Sequence, residues 1–320
     1  MTNFWQQLKL DNKPFLTLAP LDGVTDFVFR EMISETAKPD VLFTEFTNTE
    51  ALFSKGYDRT IPRLKFSEKQ HFIVAQVWGT DPKNFYAAAK LVKELGFDGI
   101  DINMGCPDRG VLRIGSGAAH IKNPTLAGEI ISATKDGAGG LPVSVKTRIG
   151  VSAIVTESWA EFLLEQKLSA LIIHGRTAKE QSKVPAHWDE IEKVVKLRDQ
   201  IAPDTVVVGN GDITSYEEAV MAHTRYGVDG VMIGKGVFLN PWVFEKVSTE
   251  HITQEYLKLL LKHTKLYCDT YKENLKFDVM KKFFKVYVKS FRGADKLREQ
   301  LMDTDNYEQV ADLVKPYLSS

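Results

Sequence analysis

TVVVGNGDITSYEEAVMAHTRYGVDGVMIGKG, residues 205–236, decides the fold. It opens on an unbroken apolar run, TVVV, that stops at Gly209-Asn210-Gly211. Ser215, with Glu218 three residues on, has the spacing of a helix capping box. The amphipathic stretch behind it runs to Gly227, and a second apolar run, DGVMIG, follows. Apolar runs without polar alternation read as strands covered on both faces, which parallel sheets require. The stretch is therefore one strand–helix–strand unit.

The same unit recurs outward along the chain. FLTLAP (15–20), VLFTEF (41–46), FIVAQV (72–77), DGIDIN (98–103), PVSVKTR (142–148) and SALIIHG (169–175) complete a set of eight runs. Helical patterns separate them, one opening at Asp81-Pro82, an N-cap followed by proline at the first helical position. Eight even units predict an α/β fold, a (β/α)8 TIM barrel rather than a doubly wound sheet. Beyond residue 248 only helical patterns remain, so residues 1–248 are read as the barrel and 249–320 as a small all-helical domain.

Composition narrows the function. The chain has 320 residues and a formal net charge of −1, so the whole-chain balance points to no nucleic acid. Charge concentrates locally: residues 276–298 hold eight Lys or Arg against two acids, interleaved with Phe277, Phe283, Phe284, Tyr287 and Phe291. Such a stretch is either a solvated face over an aromatic core stripe or a phosphate-backbone surface. Two cysteines exclude a disulfide framework and a cysteine zinc site. No HExxH, GxSxG, P-loop or GxGxxG motif occurs, and no metal is expected. There is no secretory-signal pattern and no apolar run of about 18 residues. A cytoplasmic protein with no membrane attachment, acting as a monomer, is expected.

In a barrel of this kind the site lies at the C-terminal ends of the strands. Those ends carry Ala19-Pro20-Leu21, Glu45, Gln76, Asn103 with Cys106 beyond it, Lys146 and Arg148, His174 and Arg176, Asn210-Gly211-Asp212, and Gly234-Lys235. Any one polar group there has a dull structural explanation, but polar groups at nearly every one of eight successive strand ends do not suit a packed core. GNGD and IGKG lie where barrels hold a phosphate. Lys146 and His174 can donate to an electron-rich ring such as a flavin, and the Gln76 amide can match its pyrimidine edge.

These residues resemble those of the tRNA-dihydrouridine synthases. The likeness rests on NMGCP (103–107) with GSGAA (115–119), and on APLDGVTD (19–26), FTE (43–45), AQVWG (75–79), VKTRIG (145–150), HGRT (174–177), GNGDI (209–213) and DGVMIGKG (229–236). The resemblance implies a flavin-dependent oxidoreductase acting on CH–CH groups. It would reduce the C5–C6 bond of selected tRNA uridines with FMN as cofactor and NADPH, or NADH, as reductant. It places Ala19, Pro20 and Leu21 along the flavin, and Gln76, Lys146 and His174 on its ring. Asn210, Gly211, Asp212, Gly234 and Lys235 fall at its phosphate, Cys106 at the proton donor, and Asn103 and Arg176 facing flavin or uracil. The glycine-rich segment after Cys106 would close over an extruded base. Lys235 stands where the family commonly has Arg, which removes a bidentate fork from that contact. Two other readings compete: a dihydroorotate- or dihydropyrimidine-dehydrogenase-like enzyme on a free pyrimidine, and a non-catalytic tRNA-binding protein.

Overall fold

The computed structural model describes residues 3–9, 13–272 and 276–318, so the extreme ends of the two expected domains lie outside the described residues. The eight runs form β1 Phe15–Leu18, β2 Leu42–Phe43, β3 Ile73–Trp78, β4 Gly99–Met104, β5 Val143–Arg148, β6 Ala170–His174, β7 Val206–Asn210 and β8 Gly230–Ile233. Each pairs in parallel with the next, from β2 on β3 through to β7 on β8, and β8 pairs with β1. A bridge between Thr17 and Val41 closes the ring, with Leu18 N donating to Val41 O at 3.1 Å. The fold is a (β/α)8 barrel followed by helices, as the periodicity predicts.

The second run differs in detail. VLFTEF gives only the two-residue β2, and the chain rejoins β3 farther along, where Thr47 pairs with Val77. Between these points Thr44 Oγ1 accepts the Gln76 N–H at 3.1 Å, so a side chain replaces a ladder bond. The cap at 215 also differs by one residue. Ser215 Oγ accepts the Glu218 N–H, but the Glu218 carboxylate accepts from Thr214 N at 2.6 Å.

The pleat sorts side chains into two cores. Outward residues such as Ile100, Ile102, Val143 and Val145 pack under the surrounding helices. Inward residues Phe15, Phe43, Val74, Ile172, Val206, Val208 and Met232 fill the barrel. A helix that the periodicity does not announce, Phe4–Lys9, plugs the N-terminal mouth. Its Trp5 is fully buried, 5.9 Å from the Phe15 ring and 6.2 Å from Phe43. Truncating such a side chain to alanine typically costs about 3–5 kcal/mol. With that end sealed by aromatics, the polar inward positions, Asp101, Asn103, Ser144 and Lys146, face the interior and the opposite mouth.

The last five helices, Thr253–Tyr271, Asp278–Lys281, Phe284–Tyr287, Ala294–Met302 and Tyr307–Leu318, dock through the barrel helix Phe27–Thr36. Phe29 stacks on Phe283 with centroids 5.4 Å apart, and His263 lies edge-on to Phe29. His263 Nδ1 shares a 2.7 Å hydrogen bond with the Tyr287 hydroxyl. Burial lowers the His263 pKa to about 3, so this contact is between neutral groups. Phe283, Phe284 and Tyr287 of the basic stretch are thus core residues, with Phe277 and Phe291 packed half-buried against them, while its Lys282 and Lys285 are exposed.

Candidate active site

The C-terminal mouth opens into a cavity of about 1150 Å3. Ala19, Pro20, Leu21, Asn103, Cys106, Lys146, His174, Arg176, Asn210, Gly211, Asp212, Gly234 and Lys235 all line it. Gln76 does not; its side chain is fully buried beneath the wall.

Cys106 sits in a turn held from both sides. The Asn103 side-chain oxygen Oδ1 accepts the N–H of Gly105 at 3.1 Å and of Cys106 at 2.9 Å. From below, Arg148 Nε donates to Gly105 O at 2.8 Å, and its Nη1 reaches Thr177 O and Gln181 O, both at 3.2 Å. Gly117 must be glycine: at φ +60° a Cβ there would lie 2.8 Å from Cys106 O. Downstream, Ser116 Oγ and His120 Nε2 both bond Gly79 O, at 2.8 and 3.1 Å. The glycine-rich segment is therefore tied to β3 and β5. Burial raises the Cys106 thiol, outweighing a backbone hydrogen bond, so at neutral pH it carries its proton.

Across the cavity, Lys146 Nζ donates to Asn210 Oδ1 at 3.2 Å. Burial, aided by the Arg148 charge, lowers the lysine to about 8. His174 falls far below the usual imidazole range through burial and four surrounding cations, and is neutral. Arg176 Nη1 donates to His174 Nε2 at 3.2 Å, which leaves the ring proton on Nδ1. Arg176 also donates through Nη2 to both Asp212 oxygens and through Nε to Val184 O at 2.6 Å. Arg176 is thus a buried brace for His174. The Asp212 carboxylate turns onto Arg176 and the Ala186 N–H.

Gly211 has φ +145°, and a Cβ there would meet the Ala186 Cβ at 2.5 Å. Among the described residues, the N–H groups of Gly211, Asp212, Gly234 and Lys235 have no protein acceptor. Four such donors at one end of the cavity suit an anion. At the rim stand Lys282, Lys285 and Lys289 from the C-terminal helical region. Lys282 bonds Gly23 O on the loop after β1, and Lys289 bonds Leu239 O.

Residues 17–319 match the family model described as dihydrouridine synthase. The chain belongs to the dihydrouridine synthase family. It is 46% identical over 318 residues to a probable tRNA-dihydrouridine synthase of Staphylococcus aureus (strain Mu50), covering 98% of this chain and 95% of that protein. It is 45% identical over 320 residues to probable tRNA-dihydrouridine synthase 2 of Bacillus subtilis (strain 168), covering 98% and 96%. Among solved structures it resembles histamine dehydrogenase from Rhizobium sp. 4-9, with a TM-score of 0.57 at 15% identity, covering 78% of this chain and 48% of that one. At that identity the likeness is one of fold.

Within this dihydrouridine synthase site, sequence reasoning missed three features. Asp101, fully buried inside the barrel, bonds Gln76 and Ser144. Arg148 lies at a named strand end, but its clamp on the cysteine turn is not visible there. The rim lysines did have a signal, since 282, 285 and 289 belong to the basic stretch 276–298; what was not visible is that they stand at the cavity's rim.

Proposed function

We propose that this chain reduces uridines of tRNA to dihydrouridine, with FMN as cofactor, NADPH as reductant and Cys106 as proton donor. The observation that carries the reading is the juxtaposition, in a member of this family, of a protonated cysteine with Lys146, neutral His174 and four unpaired backbone donors around one cavity.

The donor set fits FMN. The N–H groups at 211, 212, 234 and 235 would hold its phosphate end, with Asn210 beside them. Lys146 and the His174 Nδ1–H would donate to the ring where reduction gathers negative charge. Gln76, fully buried behind the cavity wall with one donor and one lone pair used within the protein, would back the pyrimidine edge from beneath. Ala19, Pro20 and Leu21 supply an apolar face. The chemistry expected of the bound cofactor is hydride donation to uracil C6. C5 then gains electron density and takes the Cys106 proton. A thiol held above its ordinary pKa near 8.5 supplies that proton without tuning. Asn103 keeps the turn in place, and Arg176 acts on the flavin side through His174.

Residues 1–248 would form the catalytic domain and 249–320 the tRNA-binding domain, with the rim lysines meeting phosphates of the strand that delivers the base. A uridine stacked in tRNA must be extruded to reach the cavity. Among the described residues, no helix is long and apolar enough to cross a membrane, and no cluster of metal-type ligands occurs.

The test combines colour and substrate. Purified protein should carry yellow flavin absorbance, and NADPH oxidation should depend on unmodified tRNA rather than on uracil or orotate. Cys106→Ala should keep the flavin and lose roughly 10²–10⁴-fold in dihydrouridine formation. Turnover of free pyrimidine, or full activity of that variant, would overturn the assignment.

A further inference from the structure

A buried chain of polar side chains runs from the barrel interior to the cysteine turn. Ser144 Oγ donates to Asp101 Oδ1 at 2.6 Å, and Gln76 Nε2 donates to Asp101 Oδ2 at 2.7 Å. Asn103 Nδ2 donates to Gln76 Oε1 at 2.9 Å, and Asn103 Oδ1 accepts the N–H groups of Gly105 and Cys106. Asp101 and Gln76 are fully buried and Asn103 is 6% exposed. The polarity of this chain is fixed at both ends. An ionised carboxylate can only accept, so Gln76 turns its NH2 toward Asp101. Backbone N–H groups can only donate, so Asn103 turns its oxygen toward the cysteine turn. The two amides satisfy both ends in one orientation only.

We propose that Asp101 is a positioning residue, whose carboxylate orients the Gln76–Asn103 amide chain and through it holds the Cys106 turn. A bare carboxylate inside a barrel is otherwise an odd choice, since burial penalises its charge and raises its pKa to about 6. Ser144, Gln76 and the nearby Lys146 charge each act to keep it ionised. Gln76 lies behind the cavity wall, so Asp101 acts on the proton donor through it without itself touching the cavity. The inference rests on the functional reading above only for its consequence in catalysis; the geometry of the turn is tested without it.

The test reverses the chain's first link. In a Cys268→Ala background, which leaves Cys106 as the single thiol, the alkylation rate of Cys106 by iodoacetamide is measured on the cofactor-bound protein. Gln76→Glu sets two carboxyl groups face to face; with all variants compared at an alkaline pH, where the pair no longer shares a proton, the two charges should push the chain apart. The freed turn should alkylate at least about fivefold faster, the least that one lost buried hydrogen bond implies. Adding Asp101→Asn supplies an NH2 donor to Glu at 76, whose other oxygen still accepts from Asn103. The double variant should return to within about twofold of the parent, a coupling of opposite sign to simple accumulation of damage. Dihydrouridine formation should move inversely, lowest in Gln76→Glu and restored in the double variant, with kcat changing and the KM for tRNA steady. If Asp101→Asn leaves the Gln76→Glu rate unchanged or raises it, the inference fails. If the parent alkylates as expected but forms no dihydrouridine, the functional reading fails while the positioning role stands.

Discussion

Arg176→Lys is the sharpest test of how the site is braced. The guanidinium has 5% exposure and makes four contacts: both Asp212 oxygens, Val184 O and His174 Nε2. An ammonium on a flexible stem can keep Asp212 but cannot fork to the other two. Losing the donor to the largely buried His174 Nε2 costs about 1–3 kcal/mol, and losing the half-buried Val184 bond about 1 kcal/mol. The Asp212 side chain is half exposed, so weakening that ion pair adds little. The expected total is about 2–4 kcal/mol, read as the difference in urea-unfolding free energy of the cofactor-free protein by tryptophan fluorescence. FMN affinity should fall as well, because His174 loses the bond that fixes its tautomer. A destabilisation below about 0.5 kcal/mol, within the ordinary spread of surface substitutions, would refute the brace.

Two further outcomes follow from the geometry. Lys146 titrates at about 8 in the fold, against about 10.4 in an unfolded chain, a difference of roughly 3 kcal/mol between charge states. A depressed lysine favours the folded state only when neutral, so its contribution is absent below pH about 8 and grows as pH rises toward 10.4. FMN affinity, which uses the cation, should fall over the same window; parallel rather than opposite trends in titrations of stability and binding would count against Lys146 as a flavin donor. Gly211→Ala meets Ala186 at 2.5 Å and takes up φ +145°, so it should weaken FMN binding at least about tenfold by equilibrium fluorescence. Wild-type affinity would show that Gly211 is not a close-approach position.

The architecture was legible because it repeats. Apolar runs closed by Gly and polar residues announce strands covered on both faces, and eight of them at even spacing announce a barrel. Strand ends were legible for the same reason: a polar residue at the last inward position of TVVVGN or SALIIHG has no place in a packed core. Thirteen of the fourteen site residues named from sequence line the cavity, and Gln76 lies just behind its wall. Periodicity says which face a side chain takes. It does not say what that side chain meets.

The sequence by itself determined the order of strands and helices, the end of the barrel that carries polar chemistry, and the presence of a scarce thiol in a glycine-rich turn. The tertiary structure decided the partners. Arg176 meets Asp212 from 36 residues away, Ser144 meets Asp101 from 43, and Lys282 reaches Gly23 from 259. Such pairs leave no periodic trace, since each forms only when barrel closure brings distant strand ends to one mouth. Trp5 belongs with them, because a short helix becomes a plug only once there is a barrel end to seal. The role of Asp101 was hidden for the same reason. In DGIDIN it is one acid in an apolar run, and its carboxylate acquires a task only when β3 and β5 lie on either side of it.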